Sequence, residues 1–195
     1  LGDRVTALPL SPCGECEPCK KGEIEYCSKT WSSAIGLSLD NPGGLTKRIA
    51  VRPDMVIKVP DNVSDEEAAM VEPTAVGLHA VHLADIKVGD SVLVIGGGII
   101  GLVSAMFAKM EGAKKVILTE TNSERGKKAV SLGVADEWYD ATKEETVNEL
   151  ISLTNGGFDV VIECVGASPA VNSAITLSKQ GGKVILVGVS MEPVS

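Results

Sequence analysis

From residue 75 onward the apolar positions fall into short β-branched runs separated by amphipathic stretches of helical period. The runs predict strands at 91–95, 115–120, 137–139, 159–163 and 183–187, and the stretches between them predict helices at 99–111, 123–132, 144–153 and 170–177. Strand and helix alternating at this spacing predict an α/β fold, a doubly wound parallel sheet. Before residue 75 the pattern is different. Seven of the nine prolines lie there, with short β-like runs at 48–51 and 55–59 between turn signals, and Gly2-Asp3-Arg4-Val5 reads as a turn entering a strand. Ser64 followed three residues later by Glu67 is a capping box, opening a helix to about Val71. A β-rich domain at 1–76 and a second domain at 77–195 are expected. The start at Leu1, inside a strand-like pattern, and the stop after the fifth strand predict a fragment whose sheet is incomplete.

Composition narrows the function classes. The 195 residues are 44% hydrophobic and 23% charged, too apolar for a disordered chain. Eighteen basic residues stand dispersed among 26 acidic ones, net −8, so no basic face exists for nucleic acid or for an anionic membrane surface. The longest uncharged stretch, 91–108, carries Gly96-Gly97-Gly98 and reads as a strand turning into a helix, not as a membrane span. No basic, apolar leader with a cleavage site opens the chain, which predicts a cytoplasmic protein.

Four of the five cysteines, Cys13, Cys16, Cys19 and Cys27, are separated by two, two and seven residues. Such spacing wraps four thiolates around one ion, and four sulfurs leave zinc no open position, so a structural zinc lobe is expected. An iron–sulfur site and oxidised pairs are the alternatives. The fifth, Cys164, ends an apolar strand, where packing is the default role.

After Val92-Leu93-Val94-Ile95, residues Gly96, Gly98 and Gly101 form G-x-G-x-x-G, and a helix begins at Ile99-Ile100. Gly96 permits the tight turn, Gly98 lets backbone approach a pyrophosphate, and Gly101 lets helix pack on strand. Glu120 ends the next strand nineteen residues after Gly101, placed to accept hydrogen bonds from a ribose diol and to repel a 2′-phosphate. NAD is the expected cofactor; Arg125, five residues on, offers NADP an alternative partner. Ligands of open α/β sheets bind beyond the carboxyl ends of the strands, which adds Cys164, Val165 and Gly166, and Val187, Gly188 and Val189.

A four-cysteine lobe followed by this dinucleotide (Rossmann) fold resembles the zinc-containing medium-chain dehydrogenases, the alcohol dehydrogenase superfamily, over essentially the whole chain. The resemblance implies a GroES-like catalytic domain, a coenzyme domain, a catalytic zinc between them, and a homodimer or homotetramer. Val71-Glu72-Pro73 is similar to the sorbitol and butanediol branch, whereas the classical alcohol dehydrogenases place a zinc-binding Cys at the position of Glu72. That branch implies a role for Glu72 at the catalytic zinc, a polyol or vicinal diol as substrate, and hydride transfer to NAD. The family's catalytic Cys and its Gly-His-Glu segment would precede Leu1. His79 and His82 receive no ligand role from the resemblance. A non-catalytic, zinc-stapled NAD-binding module and an NADPH-dependent reductase are the competing readings.

Overall fold

The computed structural model describes residues 2–38, 43–154, 156–190 and 193–194, so Leu1 and Ser195 lie outside the described residues. The chain forms two compact units, Leu1–Glu72 and Pro73–Ser195. The boundary falls four residues before the expected one at 76/77.

In the first unit, β1 (Val5–Ala7) pairs antiparallel with β2 (Val56–Lys58), Val5 opposite Lys58 and Ala7 opposite Val56. Three short helices, α1 (Glu17–Lys21), α2 (Thr30–Ser33) and α3 (Asp65–Ala69), hang on long connections. The unit is less strand-rich than the sequence predicts. The run at 48–51 carries no ladder among the described residues, because a four-residue strand holds only where a neighbour takes its N–H and C=O groups. The capping box is as expected: Ser64 Oγ accepts from Glu67 N at 3.1 Å, and Ser64 N donates to Glu67 Oε2 at 2.8 Å. Arg4 ties α3 to β1, its guanidinium donating to Asp65 Oδ1 at 2.9 Å and to the Val63 carbonyl at 2.6 Å.

Met70 interrupts the helix, and a new one, α4 (Val71–Ala84), begins at once. Pro73 is tolerated because it occupies the first turn, where the missing N–H has no intrahelical acceptor. Gly77, Ala80, Val81 and Ala84 are buried at helical spacing and turn α4 onto the sheet of the second unit.

That sheet has five parallel strands, β3 (Ser91–Ile95), β4 (Lys115–Glu120), β5 (Glu137–Asp140), β6 (Phe158–Glu163) and β7 (Ser178–Leu186), in the spatial order β5-β4-β3-β6-β7. Between them run α5 (Ile99–Met110), α6 (Ser123–Ser131), α7 (Thr146–Thr154) and α8 (Ser168–Leu177). Alternate strand residues feed two cores. Val92, Val94, Val116, Leu118, Val160 and Ile162 pack with Ala105, Ala108 and Ala129 of α5 and α6. Leu93, Ile95, Ile117 and Val161 pack with Leu150, Ala174 and Leu177 of α7 and α8. Burial on both faces explains why these strands read as unbroken apolar runs. β7 starts five residues earlier than expected: Ser178 pairs with Phe158, the chain bulges at Gly181 (φ +75°), and pairing resumes at Val160 opposite Lys183.

At the amino ends of β3, β6 and β7 a polar clasp closes the sheet. Ser91 N and Oγ donate to Asp159 Oδ2 at 2.8 and 2.6 Å, and Lys179 pairs with Oδ1. Burial pushes the Asp159 carboxyl up, but the Lys179 and Ser91 donors outweigh it and hold the group at about 2. A depressed folded pKa stabilises above the unfolded value near 3.9, and that stability disappears as pH falls through about 2. Asp159→Asn is therefore expected to cost ~1–2 kcal/mol at pH 7 and almost nothing at pH 2. Urea midpoints at the two pH values check this; equal midpoints at pH 7 would refute it.

Candidate cofactor crevice and metal lobe

β3 ends in the glycine turn at the point where strand order reverses, between β4 and β6. Gly96 has φ +101°, reserved in practice for glycine, and donates its N–H to the Thr119 carbonyl at 2.8 Å. Gly98 is the N-cap of α5, with no side chain closing the helix end, so the first-turn amides stay available to an anion. Ile99, exposed, and Ile100, half-buried, open the helix. A Cβ on Gly101 would lie 1.9 Å from the Gly96 carbonyl oxygen, so the helix can sit this close only with glycine there.

Glu120, at the end of β4, is 8% exposed. Its Oε1 accepts from Thr121 N (2.8 Å), Asn122 N (2.9 Å) and Thr121 Oγ1 (3.1 Å), and its Oε2 from Gly97 N (2.7 Å). Burial raises the carboxyl pKa, yet these donors, Asn122 and Gly97 first, more than compensate and keep it below its ordinary value. The group is an anion built into the floor of the turn. Gly97 is a glycine that the motif spacing did not single out: a Cβ there would meet Glu120 Oε2 at 3.0 Å. The signal available was the run of three glycines, with Gly97 in the middle.

A crevice of about 490 Å³ lies beyond the carboxyl ends of the strands. Of the expected residues, Gly96, Gly98, Glu120, Arg125, Cys164 and Val165 line it. Ala141, Lys143 and Thr146, after β5, also line it and were not anticipated, although the strand-end rule points to them. Gly166, Val187, Gly188 and Val189, also expected, do not line it. Their two loops touch through backbone alone: a Cβ on Gly188 would come within 2.1 Å of Gly166 N, and one on Gly166 within 2.6 Å of Val189. Cys164 is a packing residue in its chemistry, since burial and the neighbouring Glu163 charge push its thiol up to about 12.

In the other unit the four sulfurs of Cys13, Cys16, Cys19 and Cys27 lie within 4.8 Å of one another. Amides aim at them: Cys13 N donates to Cys27 Sγ at 3.3 Å, and Glu15 N and Cys16 N to Cys13 Sγ at 3.4 Å. Such donors stabilise thiolates. Backbone N–H groups of Cys19 and Ser28 bring Cys16 down to about 6, whereas burial and the adjoining sulfurs drive Cys19 up to about 12. Four thiols this close cannot all ionise unaided, and a divalent cation resolves the conflict. Zinc, at Zn–S distances near 2.3 Å, fits this donor set as a closed structural site.

Glu72 is exposed in the first turn of α4. Among the described residues it joins no group of three or more ligating side chains; the four cysteines alone form one. His79 and His82 are exposed on α4. No helix among the described residues is long and apolar enough to cross a membrane.

Comparison with known proteins gives the family and the fold. The alcohol dehydrogenase GroES-like domain family matches residues 1–61, and the zinc-binding dehydrogenase family matches residues 100–195. An L-threonine 3-dehydrogenase of Rhizobium johnstonii is 35% identical over 97% of this chain and 54% of its own length. A sorbitol dehydrogenase of Bombyx mori is 35% identical over 97% of the chain and 55% of its own. The chain thus spans about half the length of the curated relatives it matches. A solved structure described as a zinc-binding dehydrogenase of Sinorhizobium meliloti 1021, bound to NADP, superposes with a TM-score of 0.89 at 33% identity, covering 100% of this chain and 57% of that one. The chain belongs to the zinc-binding medium-chain alcohol dehydrogenase family.

Proposed function

We propose that the protein is a zinc-dependent oxidoreductase that passes hydride between NAD and a secondary alcohol of a polyol or vicinal diol. The observation that carries the cofactor assignment is the buried Glu120 anion in the crevice. A carboxylate offers about four acceptor sites. Oε1 is saturated by three donors, while Oε2 holds one and keeps capacity for a ribose hydroxyl. A 2′-phosphate brought to the same place would meet a like charge. The uncapped amino end of α5 takes the pyrophosphate, and the crevice walls exclude water from the adenosine half. When bound, the nicotinamide supplies the hydride acceptor and a catalytic zinc the Lewis acid. The lobe cysteines brace their loop, and Glu72 is assigned to the catalytic zinc. The relatives named for sorbitol and L-threonine support a secondary alcohol flanked by polar groups as substrate. Four reduced thiols suit a reducing compartment, so we place the protein in the cytoplasm, as a homodimer or homotetramer.

Glu120→Ala is expected to weaken NADH binding about 10–100-fold, the worth of a charged hydrogen-bond acceptor, and to raise the NADPH/NADH affinity ratio at least about tenfold. Fluorescence titration of both cofactors measures it. Tighter NADPH than NADH binding by the parent would refute the NAD assignment and favour a role for Arg125, which lines the same crevice.

A second reading is favoured by one observation: Glu72 meets no companion ligands among the described residues. On that reading the chain binds NAD and zinc without turnover. Reduction of NAD with sorbitol, 2,3-butanediol, threonine or simple alcohols, in added zinc, separates the two. Activity confined to simple primary alcohols would sink the polyol assignment.

A further inference from the structure

Glu163, the last residue of β6, is fully buried, and its Oε2 has no hydrogen-bond partner among the described residues. A leucine would fill that space at no desolvation cost, whereas a buried carboxylate oxygen without a donor is costly. What the carboxylate achieves is visible at its other oxygen. Oε1 accepts from Val165 N at 2.6 Å and from Gly166 N at 2.9 Å, fixing the loop after β6. The main-chain carbonyl of the same residue accepts from Val187 N at 2.8 Å and Gly188 N at 3.0 Å, fixing the loop after β7. Four amides of two loops therefore converge on one residue, and the loops meet at the Gly166–Gly188 backbone contact.

Val165 lines the crevice, while Val187 to Val189, which do not line it, follow β7, the neighbour of β6 in the sheet. A dinucleotide spans both halves of such a sheet, a mononucleotide only one. We propose that Glu163 is a positioning residue for the dinucleotide: it holds the loop after β6 in register with the loop after β7, so that both halves of one ligand find their walls. This inference rests on the dinucleotide reading of the crevice.

The test compares NADH with AMP, well below the melting temperature. Glu163→Leu keeps the bulk and removes the acceptor; NADH affinity is expected to fall at least about tenfold and AMP affinity less than about threefold. Glu163→Gln retains an oxygen for the two amides and is expected to bind NADH within about threefold of the parent. Should Glu163→Leu fail to fold, Gly188→Ala strains the same junction from the opposite loop and is expected to give the same split between ligands. Equal losses for NADH and AMP, no loss for either, or failure of Gln to rescue would each overturn the positioning role. A parent protein that binds neither ligand would overturn the crevice reading itself, and the inference with it.

Discussion

Gly101→Ala is expected to weaken NADH binding at least about 100-fold, a change of ~2.7 kcal/mol. The added methyl would stand 1.9 Å from the Gly96 carbonyl oxygen; the Cβ position is fixed by the backbone and the oxygen is backbone, so no rotamer relieves the overlap. α5 must withdraw from β3, and its amino end, the proposed pyrophosphate site, withdraws with it. Overpacking of this kind also costs ~1–3 kcal/mol of stability, so binding is to be measured at low temperature on protein shown to be folded. Zinc content serves as the internal control, because the cysteines belong to the other unit. Near-parental NADH affinity in this variant would mean that the glycine turn is not the phosphate site.

The second large effect concerns the lobe. Elemental analysis is expected to find about one zinc per chain, and Cys27→Ala is expected to lose it and to open the lobe to proteolysis, since structural zinc supplies folding free energy of order 10 kcal/mol. Cys27 is the buried ligand, 4% exposed, so its loss also leaves a void beneath the remaining thiols. Cys164→Ala is expected to keep its zinc, for its sulfur belongs to the sheet of the other unit. About two zinc ions per chain would instead mean that Glu72 has recruited ligands outside the four-cysteine cluster. Retention of zinc by Cys27→Ala would remove the lobe as the metal's location.

The limits of β3 and β4 were legible in the sequence to the residue because both faces of each strand are buried, and an unbroken apolar run has ends that charge and glycine mark sharply. β7 was not, because its first pairing, Ser178 with Phe158, is separated from the rest by a glycine bulge whose register only the neighbouring strand dictates. The helix end expected at about Val71 lies within two residues of the observed end at Ala69, but the immediate restart as α4 at Val71 was hidden, because tertiary packing of Gly77, Ala80, Val81 and Ala84 sets it. Within the site, Gly96, Gly98, Gly101 and Glu120 were readable because their spacing is itself the chemistry. Gly97 and Glu163 were not. Each acts through a residue distant in sequence, Gly97 through Glu120 and Glu163 through the two loops, and burial of a strand's last carboxylate depends on what the adjoining strands place over it.

The clasp of Ser91, Asp159 and Lys179 occupies the amino rim of the sheet, and the crevice lies beyond the carboxyl rim. Strands about five residues long, roughly 17 Å, separate the two. The pH-dependent clasp and the proposed ligand site thus occupy different ends of the same strands. A designer seeking a hardier protein can rework the amino rim, and one seeking a changed cofactor the carboxyl rim, with the two sets of substitutions adding independently.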